Sequence, residues 1–259
     1  MKIRIFQIDA FADRLFSGNP AAVCPLASWI PTELMQAIAE ENNLAETAFV
    51  VGCDERYEIR WFTPTTEVDL CGHATLAAGF SLMNHCGVKS NEVRFHSERS
   101  GDLSVKRNGN HYILNFPKDE AVRCDPPRGL LESLSDSPIE PVECLRGKSD
   151  VMLVLQSEKV VGRLKPNFQL LKEVDARGVI VTAESEEVDF VSRFFAPRVG
   201  IDEDPVTGST HTSLVPYWSA RLKKTDLIAR QISKRGGTLI CKSLDNRVEI
   251  GGEARTYLV

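Results

Sequence analysis

The chain has 259 residues, 42% of them hydrophobic and 26% charged, with a net charge of −5. That length allows one large domain or two small ones, and the composition excludes a disordered or fibrous chain. The mild acidity argues against a nucleic-acid-binding surface, and no apolar run is long enough for a transmembrane helix.

Residues 2–8 alternate polar and apolar like a strand, and the N-terminus lacks a signal peptide's apolar core. Pro31-Thr32-Glu33-Leu34 opens a helix to about Asn42, with Leu34, Ile38 and Ala39 at helical spacing. Strands are predicted at residues 48–51 and 58–62, then a buried helix of small and apolar residues over 72–82. Strands at 92–96, 103–106 and 112–116 follow, with Asn108-Gly109-Asn110 as a hairpin turn. Prolines and charges gather between Phe116 and Gly147, which reads as a linker with a short helix near 130–133. The second half offers strands at 151–154, 178–182 and 188–195, a buried helix over 208–222, and strands at 238–241 and 247–250. The seven cysteines, an odd number with no C-x-x-C spacing, read as reduced thiols of a cytoplasmic protein and not as a disulfide framework or a zinc site.

An internal repeat organises these elements. Residues 60–69 (Arg-Trp-Phe-Thr-Pro-Thr-Thr-Glu-Val-Asp) match residues 193–202 (Arg-Phe-Phe-Ala-Pro-Arg-Val-Gly-Ile-Asp) at a constant offset of 133, with Arg60/Arg193, Phe62/Phe195, Pro64/Pro197 and Asp69/Asp202 identical. After a three-residue slip, Cys71-Gly72-His73 aligns with Thr207-Gly208-Ser209, each at the start of a predicted helix. An offset near half the chain length is what a duplicated domain leaves. The expected domains are residues 1–116 and 117–259, with the strand near 247–259 able to return and complete the first.

Each copy puts a glycine where a strand gives way to a helix. The first turn of a helix carries free backbone N–H groups and a partial positive charge, and glycine lets a ligand approach them. Two such ends facing each other in a cleft would hold a small anionic metabolite. His73 follows one glycine, and Ser209, Thr210 and His211 follow the other, with Asp202, Glu203 and Asp204 just before it.

Five segments together carry a family resemblance: Gly18-Asn19-Pro20-Ala21-Ala22-Val23, residues 43–49, residues 60–64, Asp69-Leu70-Cys71-Gly72-His73-Ala74-Thr75-Leu76-Ala77, and residues 202–209. In order and spacing they resemble the PhzF-like family, named after a phenazine-biosynthesis isomerase. The resemblance implies an α+β fold like that of diaminopimelate epimerase. That fold has two pseudo-symmetric domains, each a curled, mostly antiparallel sheet around a central helix. It also implies a homodimer and a cofactor-independent isomerase, with neither metal nor organic cofactor.

By the same resemblance Glu46 is the acid/base group. His73 and Asp204 hold the substrate and assist proton movement, and Gly72, Gly208 and Ser209 bind its carboxylate. The residues alone would make Glu46 a surface charge. A carboxylate in an apolar cleft is expected to have a raised pKa and to exchange a proton near neutral pH. The second copy has no glutamate at the place related to Glu46, which suits a single acid/base shuttle. Epimerases of this superfamily carry two cysteines at the pre-glycine positions; here these are Cys71 and Thr207, so a two-thiol racemase is disfavoured. A dehydratase or epimerase working through Cys71 is the alternative enzyme, and a non-catalytic metabolite-binding member the alternative class.

Overall fold

A computed structural model describes residues 2–53 and 56–259. The chain forms two compact units, Met1–Asn115 with Glu249–Val259, and Phe116–Val248.

In unit 1, β1 (Phe6–Ala10) and β2 (Asn19–Leu26) pair antiparallel, and α1 (Thr32–Asn42) crosses to β3 (Glu46–Cys53), parallel to β2. β4 (Arg56–Phe62) returns antiparallel to β3, and the two-residue β5 (Glu67–Val68) folds against its end. α2 (Gly72–His85) then crosses to β6 (Glu92–Ser97), parallel to β4, and β7 (Gly101–Asn108) and β8 (His111–Pro117) follow antiparallel. The turn between β7 and β8 carries Gly109 at φ 60, as the Asn-Gly-Asn signal requires.

The sheet curls around α2, which touches β1, β2, β3, β6 and β7. A helix in contact on so many sides must be apolar nearly all round, and α2 buries nine of its residues between His73 and Leu82. Their small size brings backbone close to backbone: a Cβ on Gly79 would lie 2.6 Å from Val105 of β7. A second cluster, with Met35 and Ala39 of α1 against Cys24, Phe49 and Phe62, seals another face of the sheet.

Unit 2 begins with β9 (Val122–Arg123), α3 (Leu130–Leu134) and β10 (Glu143–Arg146), which pairs with β9 and with β11 (Asp150–Val154). The segment read as a linker is thus part of the unit. Pro117 ends β8, Pro126 and Pro127 fall before α3, and Pro138 and Pro141 fall before β10, all outside the interior of a helix or strand. α4 (Glu158–Arg163) and α5 (Phe168–Leu171) lead to β12 (Gly178–Glu184), parallel to β11. β13 (Phe190–Phe195) returns antiparallel, α6 (His211–Leu222) crosses to β14 (Asp226–Gln231), parallel to β13, and β15 (Gly237–Ser243) closes the series. Trp218 of α6 stacks on Phe190 with ring centroids 5.7 Å apart and donates Nε1–H to Thr182 Oγ1 at 3.0 Å. β16 (Arg247–Gly252) carries the chain back to unit 1, where β17 (Ala254–Leu258) pairs antiparallel with β1.

The duplication is visible in the order of pairing. From β2 to β7 the pairs run parallel, antiparallel, parallel, antiparallel, with helices at both parallel crossings, and β11 to β15 repeat that order. Arg60 and Arg193 also do the same work. Arg60 packs 5.2 Å from the Phe62 ring centroid and holds Glu67 through two hydrogen bonds of 2.7 and 2.8 Å. Arg193 packs 4.8 Å from Phe195 and holds Glu203 at 2.7 and 3.0 Å. The glutamates stand at the slipped offset, so the insertion falls before them. The Asp69/Asp202 identity therefore does not mark equivalent positions. Val68, opposite Trp61, corresponds instead to Asp204, whose N–H donates to Phe194 O at 3.1 Å.

Among the described residues no helix is long and apolar enough to cross a membrane.

Candidate active site

Glu46 opens β3, and Cys71 and His73 flank Gly72, the first residue of α2. The chain reaches Asn19, at the start of β2, through Gly18. That glycine has φ +69, and a Cβ there would run into the Ala10 carbonyl, so only glycine fits. Parallel pairing places Glu46 opposite Ala21, two residues along β2 from Asn19.

These four side chains meet inside unit 1. Glu46 is 8% exposed, Cys71 6%, His73 5% and Asn19 fully buried. Glu46 Oε2 lies 3.1 Å from His73 Nε2. The contact is ionic in distance but does not reach hydrogen-bond geometry, so this buried oxygen has no hydrogen-bond donor. On the other side of the ring, Nδ1 lies 3.2 Å from Asn19 Nδ2 and 3.5 Å from Cys71 Sγ. The carbonyl of Cys71 is taken up by Thr75, whose hydroxyl donates at 2.6 Å and whose N–H donates at 3.1 Å, which locks the first turn of α2.

Burial is the largest influence on His73 and pulls its imidazolium down, but Cys71 and Glu46 beside it outweigh burial and raise His73 well above its usual value. Burial first, and the charge of Glu46 second, push the Cys71 thiol up to about 11. The Cys71 thiol is therefore held in its neutral form at pH 7. Glu46, Cys71 and His73 each offer a ligand atom, all within 4.8 Å of one another. By donor chemistry this set would suit zinc.

Unit 2 carries a different arrangement at the matching turn. Gly208 is not the first helical residue. The turn from Gly208 to Thr210 closes through i→i+3 bonds, including His211 N–H to Gly208 O at 3.1 Å, and α6 proper begins at His211. Asp204 and Thr207 are buried and Ser209 is half-buried. The Thr207 hydroxyl donates to Asp204 Oδ2. Gln231, fully buried at the end of β14, ties the turn together. Its Oε1 accepts from Thr207 N–H at 2.9 Å, and its Nε2 donates to Asp204 O at 2.8 Å and to Thr207 Oγ1 at 3.1 Å.

His211 is a structural histidine. Its Nδ1 donates to Thr207 O at 2.8 Å, its ring packs 5.9 Å from Phe190, and its buried Nε2 has no partner. Burial pushes it down to about 4, so it is neutral at pH 7. Register also identifies the residue opposite in role to Glu46. Thr47 stands across from Phe62 and Val179 across from Phe195, so Glu46 corresponds to Gly178. A side chain at Gly178 would collide with the ring of Phe194.

Sequence reasoning assigned no chemistry to Asn19 or Gln231. Asn19 lies inside the motif Gly18-Asn19-Pro20, which is the local signal that points to it. Gln231 ends a strand that no alternating pattern announced, and nothing local marks it.

The family model described as phenazine biosynthesis-like protein matches residues 8–258. An uncharacterized isomerase of Pseudomonas aeruginosa is 52% identical over 258 residues, covering 100% of this chain and 98% of its own length. A solved structure of a phenazine biosynthesis protein of the PhzF family from Enterococcus faecalis is 45% identical, covers 100% of this chain and 98% of its own, and superposes with a TM-score of 0.95. A probable proline racemase from Agrobacterium radiobacter, 11% identical with a TM-score of 0.61 over 99% of this chain and 91% of its own, shares the fold.

Proposed function

Because the chain belongs to the phenazine biosynthesis-like protein family, we propose that it is an isomerase that moves a proton on a small carboxylate-bearing substrate, with Glu46 as the acid/base group. The observation that carries this reading is the placement of Glu46 Oε2: buried, 3.1 Å from His73 Nε2, and committed to no hydrogen bond. A carboxylate oxygen with no donor of its own is available to take a proton from carbon. His73 balances the negative charge before the transfer and stays within reach of the carboxyl afterwards. The first turn of α2 at Gly72 would supply the positive end of a helix dipole for the substrate carboxylate. One group can then lift a proton from one carbon and return it to another with no cofactor.

The same reading gives Asp204 a role in holding the substrate and assisting proton movement, and gives Gly208 and Ser209 a role in carboxylate binding; these roles rest on the family resemblance. Cys71 as the reacting group draws no support, since a buried thiol at about 11 is rarely a thiolate at neutral pH. The deciding experiment follows solvent deuterium into a panel of small carboxylates. Wild type should incorporate it into its substrate, and Glu46→Gln should not while keeping its circular dichroism spectrum. Exchange that survives in Glu46→Gln would remove Glu46 from the chemistry.

A further inference from the structure

Cys124 and Cys144 belong to none of the machinery described above. Arg123 pairs with Leu145 and Val122 with Arg146, and the ladder continues with Cys124 N–H donating to Cys144 O at 3.0 Å. The two cysteines are thus direct neighbours across antiparallel strands, and their Sγ atoms lie 3.6 Å apart. Among the described residues this is the only sulfur–sulfur contact at such range. Directly opposed residues have Cβ atoms roughly 4.5–5.5 Å apart and a disulfide needs about 3.5–4.5 Å, so closure takes a rotation of both side chains and an approach of the two short strands by about 1 Å.

We propose that Cys124 and Cys144 form an oxidisable dithiol that a peroxide closes into an intrachain disulfide. Cys124 is half-buried and Cys144 buried, so the peroxide meets Cys124 first. The Cys124 sulfur attacks the peroxide oxygen, the O–O bond breaks, and a sulfenic acid and one water (or alcohol) result. The Cys144 sulfur then attacks the sulfenic sulfur. The S–S bond forms, the S–O bond breaks, and hydroxide leaves with the Cys144 proton as water. Two thiols are oxidised, one peroxide is reduced, and the two electrons balance. Burial, together with the hydrogen bond and charge of Cys124, pushes the Cys144 thiol up to about 12, and contact with its partner must stand in for a ready thiolate.

The cross-link would close the chain over residues 124–144, which hold α3 and the prolines at 126, 127, 138 and 141. Nothing in this depends on the isomerase reading. The test is chemical mapping of the full-length protein. Trypsin cuts after Arg123, Arg128 and Arg146, which leaves Cys124 in a peptide of residues 124–128 and Cys144 in one of residues 129–146. After hydrogen peroxide and then alkylation of remaining thiols, these two peptides should travel as one species, two hydrogens lighter than their sum, and separate on treatment with dithiothreitol. In Cys124→Ser, Cys144 should stay open to alkylation. Cys124 driven to sulfinic acid with Cys144 still alkylatable, or both cysteines alkylated after peroxide, would overturn the proposal. The wild-type map decides this even if a variant fails to fold.

Discussion

Glu46 Oε2 and His73 Nε2 stand 3.1 Å apart inside unit 1, one from the first residue of a strand and the other from the first turn of the helix that strand wraps. The two residues are 27 positions apart in sequence, and the parallel β2–β3 pairing and the α2 crossover bring them together. Glu46→Gln takes away one of the two neighbours that raise His73 and leaves burial, the largest influence, opposed by Cys71 alone. The pKa of His73, followed by NMR of its ring, should therefore fall in that variant. An unchanged His73 titration would mean that Glu46 does not hold the proton on the ring.

Cys71→Ser should retain deuterium exchange to within about tenfold of wild type, because the serine hydroxyl can still face His73 Nδ1 and the thiol is not the reacting group. Exchange should likewise survive removal of metals with a chelator. Loss of exchange after chelation, restored by zinc, would instead make Glu46, Cys71 and His73 a working metal site.

His211 predicts a pH dependence of stability. Its folded pKa is about 4, below the usual unfolded value near 6.5. The unfolded chain therefore binds a proton at a pH where the folded chain refuses it. The contribution is intact above about 6.5 and is lost as pH falls toward 4, by roughly 3 kcal/mol in all. His211→Asn, whose amide N–H can replace the bond to Thr207 O, should lack this component. Urea unfolding of the two proteins across pH 7 to 4 measures the difference.

Arg193 predicts a large stability effect. Its guanidinium holds Glu203 and also donates to Val161 O at 3.2 Å and Leu164 O at 3.0 Å, at the C-terminal end of α4. Arg193→Ala would leave a partly buried carboxylate and the Leu164 carbonyl without the donor they share, and would weaken the hold on Val161 O, at a cost of about 2–4 kcal/mol in chemical denaturation. Arg60→Ala should cost less, since the Arg60–Glu67 pair is more open to water on the arginine side.

Gly79→Ala should destabilise unit 1 although alanine is the better helix former. The added Cβ would press on Val105 from 2.6 Å, against a strand held along both edges by β6 and β8. A cost of about 1–3 kcal/mol is expected for such overpacking. An unchanged denaturation midpoint would show that α2 can shift away from β7.

The strands that alternate or run β-branched, such as residues 58–62 and 112–116, were legible because burial on one face writes its period into the chain. α2 was legible for the same kind of reason, since a central helix must be small and apolar all round. β2 and β14 were not, and β17 was foreseen only as part of a returning segment over 247–259. β2 carries two prolines, and β14 and β17 mix charged residues into half-exposed positions, so no pattern separates them from loop. The stretch from Phe116 to Gly147 looked like a linker because proline and charge usually mark one. Only pairing with β11 shows it to be sheet.

For the site, the sequence by itself determined that the chain is a unit used twice, that a glycine precedes each long buried helix, and which segments match a family. Those are local or periodic properties, and a linear chain records them. It left Glu46 indistinguishable from a surface charge, because nothing adjacent to it says which way β3 faces. Tertiary pairing decided that Glu46 is buried against His73, that Asn19 and Gln231 hold the two turns, and that Gly178 occupies the matching place in the second unit. Those facts depend on register between strands far apart in sequence. A shift of one residue in that register would turn Glu46 to the other face of the sheet.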